Sequence, residues 1–495
     1  MKYLHRIRYV IMLSICGLIL GHFTSCKRVE SPPHIVYILA DDLGYGDVSA
    51  FNAEAAWETP HIDGIARDGM LFTDAHSGSA VCSPTRYGVL TGSYAWRTRL
   101  KSGVLWSYDE PLINEDELTV AKLLQEHGYS TACIGKWHLG LGWSYVTPER
   151  DSVDFSKRIT GGPLKVGFDY FFGITASLDI PPYVYIENDG VTALPDRLTE
   201  SSTKMGWWRS GPTGPDFKHE EVLETLTDKA IEFIGNHARS KRQQPFFLYF
   251  PLTAPHTPIL PTEQFQGSSG TNAYGDFVLQ VDRTVGKILE TLDTYHLADR
   301  TLVIFTSDNG CSPEADFEEL ARFGHDPSAG LRGAKADIFE GGHRIPFIVR
   351  WPGKIKPGSS SGQTICLTDL MATVAAITGE TLPPEAGADS YNLLPVMLQQ
   401  EKQPIREATV HHSVNGSFAI RQGDWKLVLC GGSGGWSDPL PGSAEEAALP
   451  PFQLYNLAED PGETTNHYMT EPEKAEQLKL LLHKYRSEGR SSPGS

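Results

Sequence analysis

Basic residues are in short supply in this 495-residue chain: 43 Lys and Arg against 61 Asp and Glu leave a formal net charge of −18. No excess of basic surface exists to neutralise phosphate, which argues against a nucleic-acid binder. An anionic substrate would need a local nest of cations inside an acidic protein. Cysteine is also sparse. Of seven, Cys16 and Cys26 lie near the N-terminus, leaving Cys82, Cys133, Cys311, Cys366 and Cys430 with no CxxC or zinc spacing. An odd number in an exported chain leaves at least one unpaired, and no disulfide framework can be read. Internal repeats are lacking, and the apolar run Tyr9–Leu20 is too short for a transmembrane span.

That run follows Lys2, His5, Arg6 and Arg8 and precedes Thr24-Ser25-Cys26, the layout of a signal peptide over residues 1–26. Its end resembles a lipobox, with Phe23 in place of the usual leucine. The expectation is export, to the periplasm or to the outer membrane through a lipidated Cys26, with ordinary signal-peptide cleavage as the alternative. The remaining length exceeds what one core usually serves. A large unit over 32–394 and a smaller one over 395–495 are expected.

Apolar runs at His34–Ala40, Ser130–Ile134, Pro245–Phe250, Thr301–Thr306 and Ile345–Trp351 read as buried strands. Helical patterns at Glu115–His127, Glu220–His237, Asn272–Tyr295 and Thr368–Thr378 alternate with them. The alternation predicts an α/β fold with a mainly parallel sheet. The tail, with short strands at Thr409–Val414, Phe418–Arg421 and Trp425–Cys430 and a helix near 471–486, predicts a small antiparallel α+β subdomain.

Polar clusters follow the strands, where ligands gather in such sheets. Asp41-Asp42 and Asp308-Asn309 supply oxygen donors at two strand tips. Carboxylates crowded together repel and raise one another's pKa, so a cation between them is the natural resolution, Ca²⁺ or Mg²⁺ rather than zinc. Arg86, Lys136 and Lys335 offer fixed positive charge to an anion, and His138 and His256 can move protons. Cys82 opens the stretch VCSPTRYGVLTG, with Pro84 suited to the first turn of a helix. A thiol at such an N-terminus is either a nucleophile or the precursor of something else.

Taken together, Cys-x-Pro-x-Arg followed by Leu-Thr-Gly, Asp-Asp after the first strand, Gly-Lys-x-His, Pro-His-x-Pro, Ser-Asp-Asn-Gly and Lys…Glu-Gly-Gly resemble, in order, the type I formylglycine-dependent sulfatases of the alkaline phosphatase superfamily. The resemblance runs from Ile35 to Thr464. It implies an alkaline phosphatase-like α/β fold and hydrolysis of sulfate monoesters. It implies that Cys82 becomes formylglycine through a maturation enzyme, and that one hydroxyl of the aldehyde hydrate attacks sulfur. Deprotonation of the other then releases sulfate, where a plain serine would be left esterified. Asp41, Asp42, Asp308, Asn309 and residue 82 would hold calcium. Arg86 would hold the hydrate and the carboxylates, Lys136 and Lys335 the sulfate oxygens. His138 would act as base and His256 as general acid.

Substrate choice is expected in loops outside these motifs: Asp169–Tyr185, Trp207-Trp208-Arg209, Arg322–Arg332 and His411-His412. Aromatics beside polar groups suit a sulfated carbohydrate. Two other readings are a phosphonate monoester or phosphodiester hydrolase of the same superfamily, and a non-catalytic glycan-binding lipoprotein.

Overall fold

The architecture grows from His34–Asp41 (β1), all eight residues of which are buried. Side chains alternate across a strand, so Ile35, Tyr37 and Leu39 enter one apolar layer while Val36, Ile38 and Ala40 enter the other. A strand covered on both faces belongs inside a parallel sheet. Ser130–Lys136 (β2), Phe246–Pro255 (β3) and Thr301–Ser307 (β4) share that centre. β4 pairs with β1, β1 with β3 and β3 with β2, all parallel. The ten-stranded sheet runs Ser359–Ser361, Met70–Phe72, Phe347–Arg350, β4, β1, β3, β2, Tyr170–Ile174, Ile186–Glu187, Gly190–Val191. Antiparallel pairs flank these four strands, starting with β4 against Phe347–Arg350 on one side and Tyr170–Ile174 against Ile186–Glu187 on the other.

This computed structural model describes residues 31–147, 152–240 and 244–493, so the expected signal segment lies outside the described residues. The described residues from 33 onward form one compact unit. Helix Cys82–Thr91 (α1), with Val120–Glu126 and Leu370–Thr378, supplies apolar side chains to one layer. Val222–Arg239 (α2) and Ala273–Thr294 (α3) supply the opposite one. Among the described residues no helix is long and apolar enough to cross a membrane, and all five cysteines there are free.

Two elements depart from the sequence expectation. The helix read from Glu115 begins only at Val120, because the Thr119 hydroxyl accepts the Lys122 N–H at 3.1 Å and caps it there. Tyr170–Ile174, inside a stretch read as loop, is a strand parallel to β2. Its Gly173 hides the pattern and is required. A Cβ there would lie 1.9 Å from the Gly135 carbonyl oxygen.

The tail forms a four-stranded antiparallel sheet in chain order: Thr409–His412, Phe418–Gln422, Trp425–Val428 and Gln453–Asn456. Helix Pro472–Ser487 packs Ala475, Leu478, Leu482 and Tyr485 against Val410, Ile420, Leu427 and Leu454. The sheet is tied inward by buried charge. Lys426 Nζ lies 2.8 Å from Glu463, 3.1 Å from Glu340 and 3.0 Å from His343 Nε2, and Arg421 meets Asp74 at 2.7 Å.

His411 and His412 are strand residues buried in this junction rather than a substrate loop. Both His411 nitrogens are engaged, with the Ser77 carbonyl and the Thr409 hydroxyl, each at 2.9 Å. Burial pushes the His412 imidazole down to about 4 from 6.5, against a hydrogen bond to the Ser413 carbonyl that raises it. The folded protein thus keeps His412 neutral where the unfolded chain takes up a proton. Its contribution to stability is complete above pH 6.5 and is lost as the pH falls towards 4, by ~2 kcal/mol at pH 5. Denaturant unfolding of His412→Gln should show a fall between pH 7.5 and 5 that is shallower than wild type by about that amount. Equal slopes would contradict the burial argument.

Candidate active site

Because β1 to β4 are parallel, their C-terminal ends meet at one edge of the sheet. β1 ends in Asp41, with Asp42 next; β2 ends in Lys136, two residues before His138; β3 runs into His256, and β4 into Asp308-Asn309. Asp42 (φ 65°) and His138 (φ 57°) adopt the left-handed backbone conformation, uncommon away from glycine and concentrated at functional sites. α1 brings Cys82 at its first position and Arg86 one turn later, every residue of it buried. Lys335 arrives on a loop whose backbone N–H donates to the Cys311 carbonyl at 2.9 Å. Gly310 permits the approach of the Glu-Gly-Gly segment: a Cβ on it would sit 1.8 Å from the Gly341 carbonyl oxygen.

Three permanent cations face three carboxylates. Arg86 donates to Asp308 Oδ2 at 2.6 and 3.1 Å, to Asp41 Oδ1 at 3.2 Å and to the Lys136 carbonyl at 3.1 Å. Lys136 Nζ reaches both Asp41 oxygens, at 2.8 and 2.7 Å. Lys335 Nζ lies 2.7 Å from Asp42 Oδ2, and His256 Nε2 lies 3.6 Å from the same oxygen. Burial alone would raise the Asp41 carboxyl, yet Lys136, His256 and Arg86 hold it well below the usual carboxylate range.

Asn309 Nδ2 donates to Asp42 Oδ1 at 2.8 Å and to the Gly310 carbonyl at 3.0 Å, while Oδ1 is buried without a donor. Ligand atoms of Asp41, Asp42, Cys82 and His256 lie within 4.8 Å of one another. Asp308 joins through Arg86 and the Asp42 N–H, 3.2 Å from its Oδ1. Carboxylates beside an orphaned amide oxygen are a donor set that fits a hard divalent cation.

Cys82 Sγ lies 3.7 Å from Asp41 Oδ1. Burial pushes its thiol up to about 12, Lys136 and Lys335 pulling it down and Asp308 and Asp41 pushing further up. His138 differs from an ordinary imidazole in the opposite sense. Burial, Lys136 and Arg86 lower its pKa well below 6.5. Its Nε2 donates to the Leu105 carbonyl at 2.8 Å, leaving the Nδ1 lone pair buried and unpartnered. A neutral ring with one nitrogen fixed as donor is a base in waiting.

Comparison with known proteins decides the family, since the sulfatase family profile matches residues 33–380. The chain belongs to the sulfatase family. This sulfatase is 36% identical to an N-acetylgalactosamine-6-O-sulfatase of Bacteroides thetaiotaomicron, covering 91% of this chain and 92% of that protein. It is 32% identical to bovine arylsulfatase A, over 88% and 83% of the two chains. A solved sulfatase structure from glycosaminoglycan metabolism in Bacteroides thetaiotaomicron superposes with a TM-score of 0.80 at 35% identity, covering 92% and 99%. The enzyme is a sulfuric ester hydrolase.

The loops expected to select substrate divide. Trp208 stacks on His219 at 3.9 Å, and Arg332 lies over Phe339 and donates to the Glu463 carbonyl at 2.7 Å. Both are packing. Arg209 stays exposed and pairs with Asp179, with the half-buried Trp207 ring 5.0 Å from its guanidinium carbon. The Leu105 carbonyl that fixes the His138 tautomer had no sequence signal, since a backbone acceptor carries none.

Proposed function

We propose that the sulfatase removes sulfate from a carbohydrate, with 6-O-sulfated N-acetylgalactosamine the first candidate because the 36%-identical relative bears that name, and that Cys82 is matured to formylglycine. The observation that supports the maturation reading is the placement of Cys82, buried at the first position of α1, 3.7 Å from Asp41 and grouped with Asp42 and His256. A formylglycine hydrate would supply one hydroxyl to attack sulfur and a second whose deprotonation releases sulfate.

This chain's own residues then have separate tasks. Lys136 and Lys335 present fixed positive charge to the sulfate oxygens. Arg86 keeps Asp41 and Asp308 in place with its planar fork. His138 Nδ1 accepts a proton during sulfate release. His256 donates its Nδ1–H to the Thr257 carbonyl at 2.5 Å, which leaves Nε2 to carry a proton to the leaving alcohol. Asp41, Asp42, Asp308, Asn309 and residue 82 would hold calcium, which would acidify the attacking hydroxyl and polarise the ester.

Calcium added to chelator-treated protein should raise its thermal midpoint, since a ligand of the folded state alone stabilises it. Asn309→Ala should shift the calcium midpoint of that rise by roughly tenfold or more. A midpoint unmoved by the substitution would remove Asn309 from the ligand set. The export reading assigns residues 1–26 to a signal peptide with Cys26 as lipid anchor, 32–394 to catalysis and 395–495 to a C-terminal subdomain. The substrate reading is tested by turnover of matured enzyme on sulfated mono- and oligosaccharides, aryl sulfates and phosphate esters. Turnover of aryl sulfates alone would reject a carbohydrate substrate, and faster phosphate or phosphonate turnover would favour the other hydrolase.

A further inference from the structure

A polar pair outside the reacting centre bears on the sugar itself, and this inference rests on the carbohydrate reading. Asp179 follows the strand Tyr170–Ile174 by way of Thr175, whose carbonyl accepts the His138 N–H at 2.9 Å. Asp179 is 6% exposed. Its Oδ2 accepts from Arg209 Nη1, a nitrogen that also donates to the Asp179 carbonyl at 3.2 Å. Its Oδ1 is buried with no donor.

The Arg209 side chain is 44% exposed. Its guanidinium carbon lies 5.3 Å from the Trp106 ring centre and 5.0 Å from that of Trp207. Trp106 is half-exposed and directly follows Leu105, the residue that fixes His138. The Trp207 indole N–H donates to Glu314 at 3.0 Å, on the segment that leaves Asp308-Asn309. The pair is thus framed by chain running from both sides of the reacting centre.

An exposed ion pair is ordinarily worth little. This one differs in being held between two indoles, with Asp179 four residues beyond Thr175, whose carbonyl accepts the His138 N–H. Its charges also restrict what it can bind. A carboxylate already paired with the guanidinium opposes a second anion, whereas the exposed part of the guanidinium offers N–H donors that match hydroxyl oxygens. The flanking indoles suit the C–H faces of a pyranose.

We propose that Arg209, positioned by Asp179 between Trp106 and Trp207, hydrogen-bonds ring hydroxyls of the sulfated sugar and so selects glycans over simple aryl sulfates. Arg209 is the binding residue and Asp179 a positioning residue.

The test compares kcat/KM for a sulfated monosaccharide, its deoxy analogues and an aryl sulfate. In Arg209→Ala the sugar-to-aryl ratio should fall roughly ten- to hundredfold, chiefly through KM, as expected for lost charged hydrogen bonds. Wild type should discriminate against at least one deoxy analogue, and the variant should not. Arg209→Lys and Asp179→Asn, which keep the local shape, should lower the same ratio and carry the test if the alanine variant folds poorly. A ratio unchanged in all three variants, with wild type active on sugars, overturns this inference alone. Wild type active only on aryl sulfates overturns the carbohydrate reading and this inference with it.

Discussion

Cys82→Ala should release sulfate at least ~10⁴-fold more slowly than wild type, with its thermal midpoint close to that of the parent. The polar contact of the thiol, 3.7 Å to Asp41, is weak, and α1 is held by Tyr87, Val89 and Leu90. Replacing residue 82 with alanine therefore costs the fold little and, with nothing left to mature into the attacking hydrate, the chemistry nearly everything. Cys82→Ser is the sharper variant. Its hydroxyl can attack sulfur once, but the resulting ester needs a second attack at sulfur, so a protein-bound sulfo group should accumulate without turnover. Intact-mass measurement checks this directly. Mass spectrometry of the peptide spanning residue 82 checks maturation, and an unmodified thiol in a fully active sample would end the formylglycine reading.

Arg86→Met should destabilise the enzyme by ~3–5 kcal/mol as well as silence it. The guanidinium is fully buried and joins Asp308 and Asp41. Burial already raises the Asp308 carboxyl, with Asp41 adding to the rise and Arg86 the largest force against it. Without Arg86 two carboxylates stay buried with less to balance them, and their protonation is the available relief. Arg86→Lys restores one charge but not the fork that spans two acids, so stability should recover only in part. Calorimetry on the three proteins decides the matter: an Arg86→Met midpoint equal to wild type would mean the carboxylates are neutralised without it.

The centre of the fold was legible because β1, β3 and β4 are continuous apolar runs, a pattern that only a strand buried on both faces requires. The same runs pointed to the candidate site, since Asp41-Asp42, His256 and Asp308-Asn309 follow them. What stayed hidden is encoded by shape rather than by composition. Tyr170–Ile174 carries a glycine demanded by Gly135 on its neighbour. His411 and His412 looked like binding residues because sequence cannot say that Ser77 and Thr409 satisfy one ring and that the other is fully buried. The Asp179–Arg209 pair joins positions thirty residues apart through an ion pair that no spacing rule announces.

The family profile ends at residue 380, yet the chemistry does not stop being the business of the chain there. Glu340 and His343 sit five and eight positions beyond Lys335, and their buried partner Lys426 belongs to the C-terminal sheet, with Glu463 on the loop that follows its last strand. Trp436 and Ser437 of the same tail donate backbone N–H groups to Asp337 at 2.8 and 3.0 Å. The lysine's loop is therefore moored from the far end of the molecule. Shortening or grafting this enzyme at the family boundary would leave Glu340 and Asp337 without their counterparts, so the tail travels with the catalytic half as a single inheritable piece.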